Sequence, residues 1–372
     1  MTNTILWSPK NYNNLLTKFT KYLANKNIFN SNNYNSLHEW SINNKDKFWS
    51  EIWNFTSIIG EYHKPVVENE NNFIKSIFFK KSKLNFTQNL IRKKDNSDAI
   101  VFYSEQGFNR RISWNELDNQ VSKIAHYFKE KNIQKGDRIV AILPNIPETV
   151  ISFLGAAKIG AIWSSCSADF GPKAVISRFK QIDPKILIIS DYYYYNNKKI
   201  NTLDKINEIK NGLPSVVQII IIPYGSDFKT DNVNFEYENW IEIINNNSSI
   251  QNYKNYEFNI PLYILYSSGT TGKPKCIVHG AGGSLIQHKK EHQLHCNIQP
   301  NDIAAEVTVT NGLFSTTTYT NDLGEFEILG LPEGIYTVTV TPEASSLFTP
   351  VVIDNVEVNI GQTTNLDTVI FE

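Results

Sequence analysis

Four short apolar runs constrain the fold most: "RIVAILP" from Arg138, "AIWSSCS" from Ala161, "KILIIS" from Lys185 and "VVQIIII" from Val216. Each is shorter than an ordinary helix and lacks the in–out alternation of a strand with one wet face, and all but "AIWSSCS" are rich in β-branched residues. They read as strands buried on both sides. Between them lie stretches with helical spacing. Ser113 and Glu116 form a capping-box pair ahead of an apolar stripe at Leu117, Val121, Ile124, Ala125 and Phe128. Pro147 suits the first turn of "PETVISFLGAAKIG", which Gly160 closes, and Pro172 opens "PKAVISRFKQID". A further helix runs up to Gly212. Strand and helix alternating in this way predict an α/β fold, a parallel sheet with flanking helices. Ahead of it, "DAIVFYSE" reads as a strand and "RRIS" as the run into a turn. The tyrosine run "DYYYYNN" follows a strand end; a stacking site is conceivable there, and a partly exposed loop rim is the plainer reading.

The flanks differ from this middle. Residues 1–90 are rich in Asn and Lys, and "SLHEWSINNKDKFWSEIWNFTSI" spaces Trp49, Trp53 and their apolar neighbours for helices that pack on a larger domain. After Ile303 the composition breaks: residues 304–372 contain no Lys, Arg or His and alternate Thr and Val at period two. Turn chemistry at Asn321-Asp322, Pro332-Glu333-Gly334 and around Gly361 divides that stretch into short strands, predicting a small antiparallel β-sandwich. The expected domains are therefore 1–90, 91–303 and 304–372.

A formal net charge of -1 gives no electrostatic footprint for nucleic acid or an anionic membrane surface. The longest apolar run is too short to span a bilayer, the first residues do not read as a secretory signal, and Cys166, Cys276 and Cys296 have no CxxC spacing. A reducing, cytoplasmic setting is the expectation.

"YSSGTTGKPK", Tyr266–Lys275, has the mechanics of an anion cradle. An apolar strand delivers the chain into small residues whose backbone N–H groups can turn inward. Gly269 and Gly272 permit close approach, and Ser267, Ser268, Thr270 and Thr271 add hydroxyl donors. Lys273 and Lys275 bring positive charge. The string is not a Walker A loop, because Pro274 follows Gly272-Lys273.

This stretch resembles the phosphate-binding signature of the adenylate-forming enzymes, the acyl-CoA synthetase superfamily. "GAIWSSCSADFG", "RFKQIDPKIL", "LHEWS" and the continuation through "CIVHGAGGSLIQHKKEHQLH" are similar to the acetoacetyl-CoA synthetases within it. The resemblance runs from Trp7 to about Ile303, with one departure at Phe78 and Lys81, where the family has Trp-Phe and a turn glycine. It implies an ATP- and Mg2+-dependent ligase that makes acetoacetyl-CoA through an acetoacetyl-adenylate, with acetoacetate and CoA as substrates and a place in ketone-body and lipid metabolism. Ser267, Ser268, Gly269, Thr270, Thr271, Gly272, Lys273 and Lys275 would hold the ATP phosphates. The family's adenine loop, lid and adenylation lysine have no match after Ile303, so no catalytic residue is assigned and the chain is expected to be catalytically incomplete. An acetyl- or propionyl-CoA synthetase-like ligase is a lesser alternative.

Two further strings compete. "HKKEH", His288–His292, with His295 beyond, matches an inverted zinc-protease string with Glu291 as base. It falls within the synthetase-like stretch and reads as an ordinary helix, so no metal site is expected. "NDLGEFEILGLPEGIYTVTVTP" resembles carboxypeptidase-regulatory-like β-sandwich modules at Gly324, Phe326, Leu331, Pro332, Gly334 and Tyr336, without their opening strand. A non-catalytic binding or structural protein centred on that module is the alternative from another class.

Overall fold

The computed structural model describes residues 14–225, 228, 233–267, 272–298, 306–320, 326–341 and 349–366. Thr17–Glu291 forms one compact unit, and the described residues from His292 onward belong to a second.

The larger unit is organised by a seven-stranded sheet. Its strands are β1 (Arg138–Ile142), β2 (Ile162–Cys166), β3 (Ile186–Ser190), β4 (Gln218–Ile222), β5 (Glu238–Asn239), β6 (Pro261–Ser267) and β7 (Lys275–Gly280), in the spatial order β5-β4-β3-β1-β2-β6-β7. Every neighbouring pair is parallel except β6 and β7. The four apolar runs are thus the four central strands. Val216 is buried in the core ahead of β4, whereas Val217 stays outside the strand and is 75% exposed, so the strand itself takes only Gln218–Ile222 of the run.

The helices are α1 (Trp114–Glu130), α2 (Pro147–Lys158), α3 (Pro172–Phe179), α4 (Ile206–Gly212), α5 (Trp240–Asn246) and α6 (Ala281–Lys290). On one sheet face Val140, Ile142, Leu187, Ile189, Ile219 and Ile221 meet Val175 and Phe179 of α3 and Ile206 and Ile209 of α4. Alternate residues Ile139, Ala141, Ile188 and Ile220 point the other way and are equally buried. There Phe153 of α2 lies tilted against Trp163 of β2 and edge-on to Tyr263 of β6, at centroid distances of 6.2 and 6.1 Å. Both faces of β1, β3 and β4 being dry explains why these strands carry no polar alternation, whereas β2 exposes Ser165.

The capping signals hold. The Ser113 hydroxyl accepts from the Glu116 backbone N–H at 3.2 Å, and Pro147 and Pro172 each open a helix. Gly160, at φ 76°, ends α2: its N–H donates to Ala157 O and that of Ala161 to Ala156 O, the paired closure that requires a left-handed residue. "RRIS" departs from its reading. Arg110–Ser113 is a strand, paired antiparallel with Asp98–Phe102, because the polar loop between them closes a hairpin.

Helices Tyr34–Asn43 and Lys45–Phe55 bury Leu37, Ile52 and Trp53. Trp53 stacks into an aromatic group with Phe79 and Phe258, the last two 4.5 Å apart at the ring centroids. Phe79 adopts φ 51° in the turn beside the family departure at Phe78 and Lys81. Gly282, in the first turn of α6, lies against the same group: a Cβ there would come within 2.3 Å of the Phe258 ring.

In the second unit, β8 (Glu306–Thr310), β9 (Ser315–Tyr319), β10 (Gly334–Thr341) and β11 (Val351–Val358) form one antiparallel sheet in the order β9-β8-β10-β11. The antiparallel strands were legible in the sequence. The second sheet of a sandwich is not found among the described residues; Phe326, Ile328, Leu331 and Leu366 cover Val307, Val309, Tyr336, Val338 and Val340 instead. Loop side chains bury the apolar face that a second layer would bury. The opposite face is largely threonine, with Thr308 and Thr317 hydroxyls 3.1 Å apart.

Two stability tests follow from the larger unit. Gly282→Ala is expected to destabilise it by about 1–3 kcal/mol through overpacking against Phe258, read as a lowered urea midpoint. The second concerns Lys158, buried at the end of α2, whose Nζ donates to Ser122 Oγ at 2.8 Å and stands 3.9 Å from the Tyr253 ring centroid. Burial pushes its ammonium down to about 8, against the opposing pull of Asp118, from an ordinary 10.5. The unfolded chain therefore binds more protons across that window, and this group's contribution to stability rises with pH there. The wild-type advantage over Lys158→Met, measured in urea at either end of the window, is expected to grow as pH rises. A flat difference would contradict the assignment.

Candidate active site

The C-terminal ends of parallel strands are where an α/β sheet presents ligand-binding loops. β6 reaches that edge at Ser267, and β7 starts back from Lys275, its direct cross-strand partner. Ser267 and Lys275, which flank residues 268–274 in the sequence, are thus held side by side by the ladder. Of the anticipated donors, Ser267 is the last residue of β6, Lys275 the first of β7, and Gly272 and Lys273 stand in the returning arm. Ser268, Gly269, Thr270 and Thr271 lie outside the described residues. Gly272 has φ 126°, and a Cβ built on it meets nothing within 4 Å. Its glycine is demanded by backbone conformation, not by crowding. Lys273 and Lys275 are exposed beside this opening.

The base of the loop is tied to α3 and the turn that follows it. The Tyr266 hydroxyl donates to the Arg178 carbonyl at 3.2 Å, and its ring packs near Phe179 with centroids 6.5 Å apart. The Arg178 guanidinium stands 4.9 Å from the Phe170 centroid and 6.0 Å from that of Tyr266. Burial pushes the Tyr266 phenol up to about 12. On the other arm, Gln181 Nε2 donates to the Pro274 carbonyl at 3.0 Å. The neighbouring loop after β2 is held as well: Lys205 Nζ donates to the Ala168 and Phe170 carbonyls, and burial lowers its ammonium against the pull of Asp169. Tyr266, Gln181 and Arg178 were not among the residues singled out from sequence. "RFKQIDPKIL" contains two of them, yet nothing in its pattern says which loop they would meet.

A second feature of the same edge lies beyond β3 and β4. The buried Asp191 carboxylate accepts from the Tyr192 and Tyr224 backbone N–H groups, both at 2.8 Å, linking the two strand ends. Tyr192–Tyr195 is a strand of a small hairpin with Lys198–Asn201. Tyr192, Tyr194 and Tyr224 pack on one another, and Lys199 Nζ stands 3.7 Å from the Tyr192 centroid. Tyr195 alone of the run is exposed.

The "HKKEH" string leaves α6 at Lys290 and passes into a π-turn, Glu291–His295. Among the described residues, no group of three or more His, Cys, Asp or Glu is gathered to hold a metal ion. No helix among them is long and apolar enough to cross a membrane.

The family described as "AMP-binding enzyme" matches residues 87–354, which extends past the compositional break at Ile303. An acetoacetyl-coenzyme A synthetase of Rhizobium meliloti (strain 1021) is 38% identical over 270 residues, covering 72% of this chain and 41% of the relative. An acetoacetyl-CoA synthetase of Gallus gallus is 35% identical over 321 residues, covering 83% and 48%. The solved structure of acetoacetyl-CoA synthetase from Streptomyces lividans superposes with a TM-score of 0.71 at 30% identity, covering 77% of this chain and 44% of that one. The chain spans about half the length of the curated relatives it matches.

The thiols give a direct check on this edge of the sheet. Cys166, at the end of β2, is buried and its thiol is pushed up to about 11 by that burial, while Cys276 in β7 and Cys296 are exposed. Of the three cysteines, two are expected to react with an aromatic disulfide reagent in the folded protein and the third only after unfolding. Three fast thiols would contradict the packing at β2.

Proposed function

The chain belongs to the AMP-binding enzyme family, and on that premise we propose that it carries the phosphate-holding part of an acetoacetate–CoA ligase. The observation that carries this reading is the β6–β7 hairpin: a Ser/Thr/Gly/Lys loop with paired ends, at the C-terminal edge of a parallel sheet. The residues there fit a polyphosphate. Ser267 offers a hydroxyl, Gly272 a backbone free of side-chain obstruction, and Lys273 and Lys275 two exposed cations. With Ser268, Gly269, Thr270 and Thr271 they would hold the phosphates of ATP, accompanied by Mg2+. ATP, when bound, supplies a leaving group through which a carboxylate is activated for transfer to the CoA thiol. The chain's own contribution is orientation and charge neutralisation of the phosphates by donors held in place beforehand.

The acid is read as acetoacetate because the relatives and the solved structure above bear that name. No observation favours the binding-protein alternative. Segment 304–372, read here as a partial carboxypeptidase-regulatory-like module, has no Lys, Arg or His with which to assist the chemistry. The domain limits 1–90, 91–303 and 304–372 are part of the same reading.

The test is nucleotide affinity. Lys275→Ala is expected to weaken ATP binding about tenfold or more by calorimetry, the size set by loss of one charge-assisted hydrogen bond. It should also abolish protection of the neighbouring Cys276 from alkylation by ATP. Equal ATP affinity in both proteins would overturn the assignment of this loop.

A further inference from the structure

We propose that Gln181 is a positioning residue for the phosphate loop, and that the turn Arg178–Gln181 is the fixed base from which both arms of the loop are held. This rests on the reading of residues 267–275 as the phosphate site. The two arms are separate in sequence from α3 and from each other, yet both end on this one turn. Tyr266, one residue before the loop, donates its hydroxyl to Arg178 O at 3.2 Å. Pro274, the last residue before β7, accepts from Gln181 Nε2 at 3.0 Å. The same amide nitrogen donates to Ser177 O at 2.8 Å, so its two hydrogens bridge the end of α3 to the loop.

The base is rigid for reasons already given: Val175 and Phe179 of α3 lie in the sheet core with no exposure. The described part of the returning arm, Gly272–Pro274, is less constrained by its own backbone. Pro274 has no N–H to add to the β6–β7 ladder, and Gly272 gives the returning arm freedom at φ 126°. A cradle that works by aiming donors at fixed points needs its ends located by neighbours, and a primary amide suits this one. Gln181 does not touch the phosphates in this account; it acts through the Pro274 carbonyl.

The isosteric Gln181→Glu is the discriminating variant, because it sets a carboxylate oxygen against two carbonyl oxygens where the amide had donated to both. Hydrogen exchange by mass spectrometry on the whole chain reads the effect without ligand. Peptides spanning residues 267–276 are expected to exchange about fivefold faster in Gln181→Glu and Gln181→Ala, the size set by one ordinary hydrogen bond, with peptides of β3 unchanged. Affinity for inorganic tripolyphosphate is expected to fall by about the same factor. Loop exchange equal to wild type in both variants would overturn the proposal. Faster loop exchange, with a wild-type protein that binds no tripolyphosphate, would uphold the anchoring role and overturn the phosphate reading on which it rests.

Discussion

Burial of a parallel sheet on both faces is the constraint from which the rest of the larger unit follows. A strand with no wet face cannot alternate, so β1, β3 and β4 are near-continuous runs of Ile, Val and Leu, and their backbone groups must all be paired within the ladder. Parallel pairing then demands crossovers, and the crossovers are the helices that supply the dry faces. It also sends every loop that follows a strand to the same edge. The β6–β7 hairpin, the loop after β2 held by Lys205, and the Asp191 junction between β3 and β4 share that edge for this reason. The site is a consequence of strand direction before it is a consequence of any particular side chain.

The antiparallel return of β7 is the exception that makes a cradle possible. Had the chain after β6 crossed over through a helix, Ser267 and Lys275 would have been carried apart. Reversing at once brings them opposite each other, and Gly272 provides the conformation the returning arm takes. The cost is an outer strand with little cover: Ile277 and Val278 are 45% and 55% exposed. Gly282 and the Trp53–Phe79–Phe258 group fix the far end of this hairpin to the N-terminal helices, so loop and scaffold are joined at both ends.

Much of this was legible in the residues. The apolar runs named the central strands, Ser113, Pro147, Pro172 and Gly160 marked helix limits, and small residues and lysines marked out the stretch between β6 and β7 that is proposed to hold phosphates. What escaped was long-range. "RRIS" became a strand because its partner lies across a polar loop, a pairing that local pattern does not reveal. Gln181 and Tyr266 look like an ordinary surface amide and a strand-end ring until the fold sets them against Pro274 and Arg178. The final strands show the opposite case: alternation announced antiparallel pairing, but period two is satisfied equally by one sheet under loop side chains and by two facing sheets.

The central claim is that the β6–β7 loop holds a polyphosphate. The most direct measurement is a crystal structure of this chain with a non-hydrolysable ATP analogue. The account predicts phosphate oxygens within hydrogen-bonding distance of backbone N–H groups and hydroxyls between Ser267 and Lys275, with the Gln181–Pro274 bond intact. An analogue bound in full elsewhere, with that loop untouched, would contradict it.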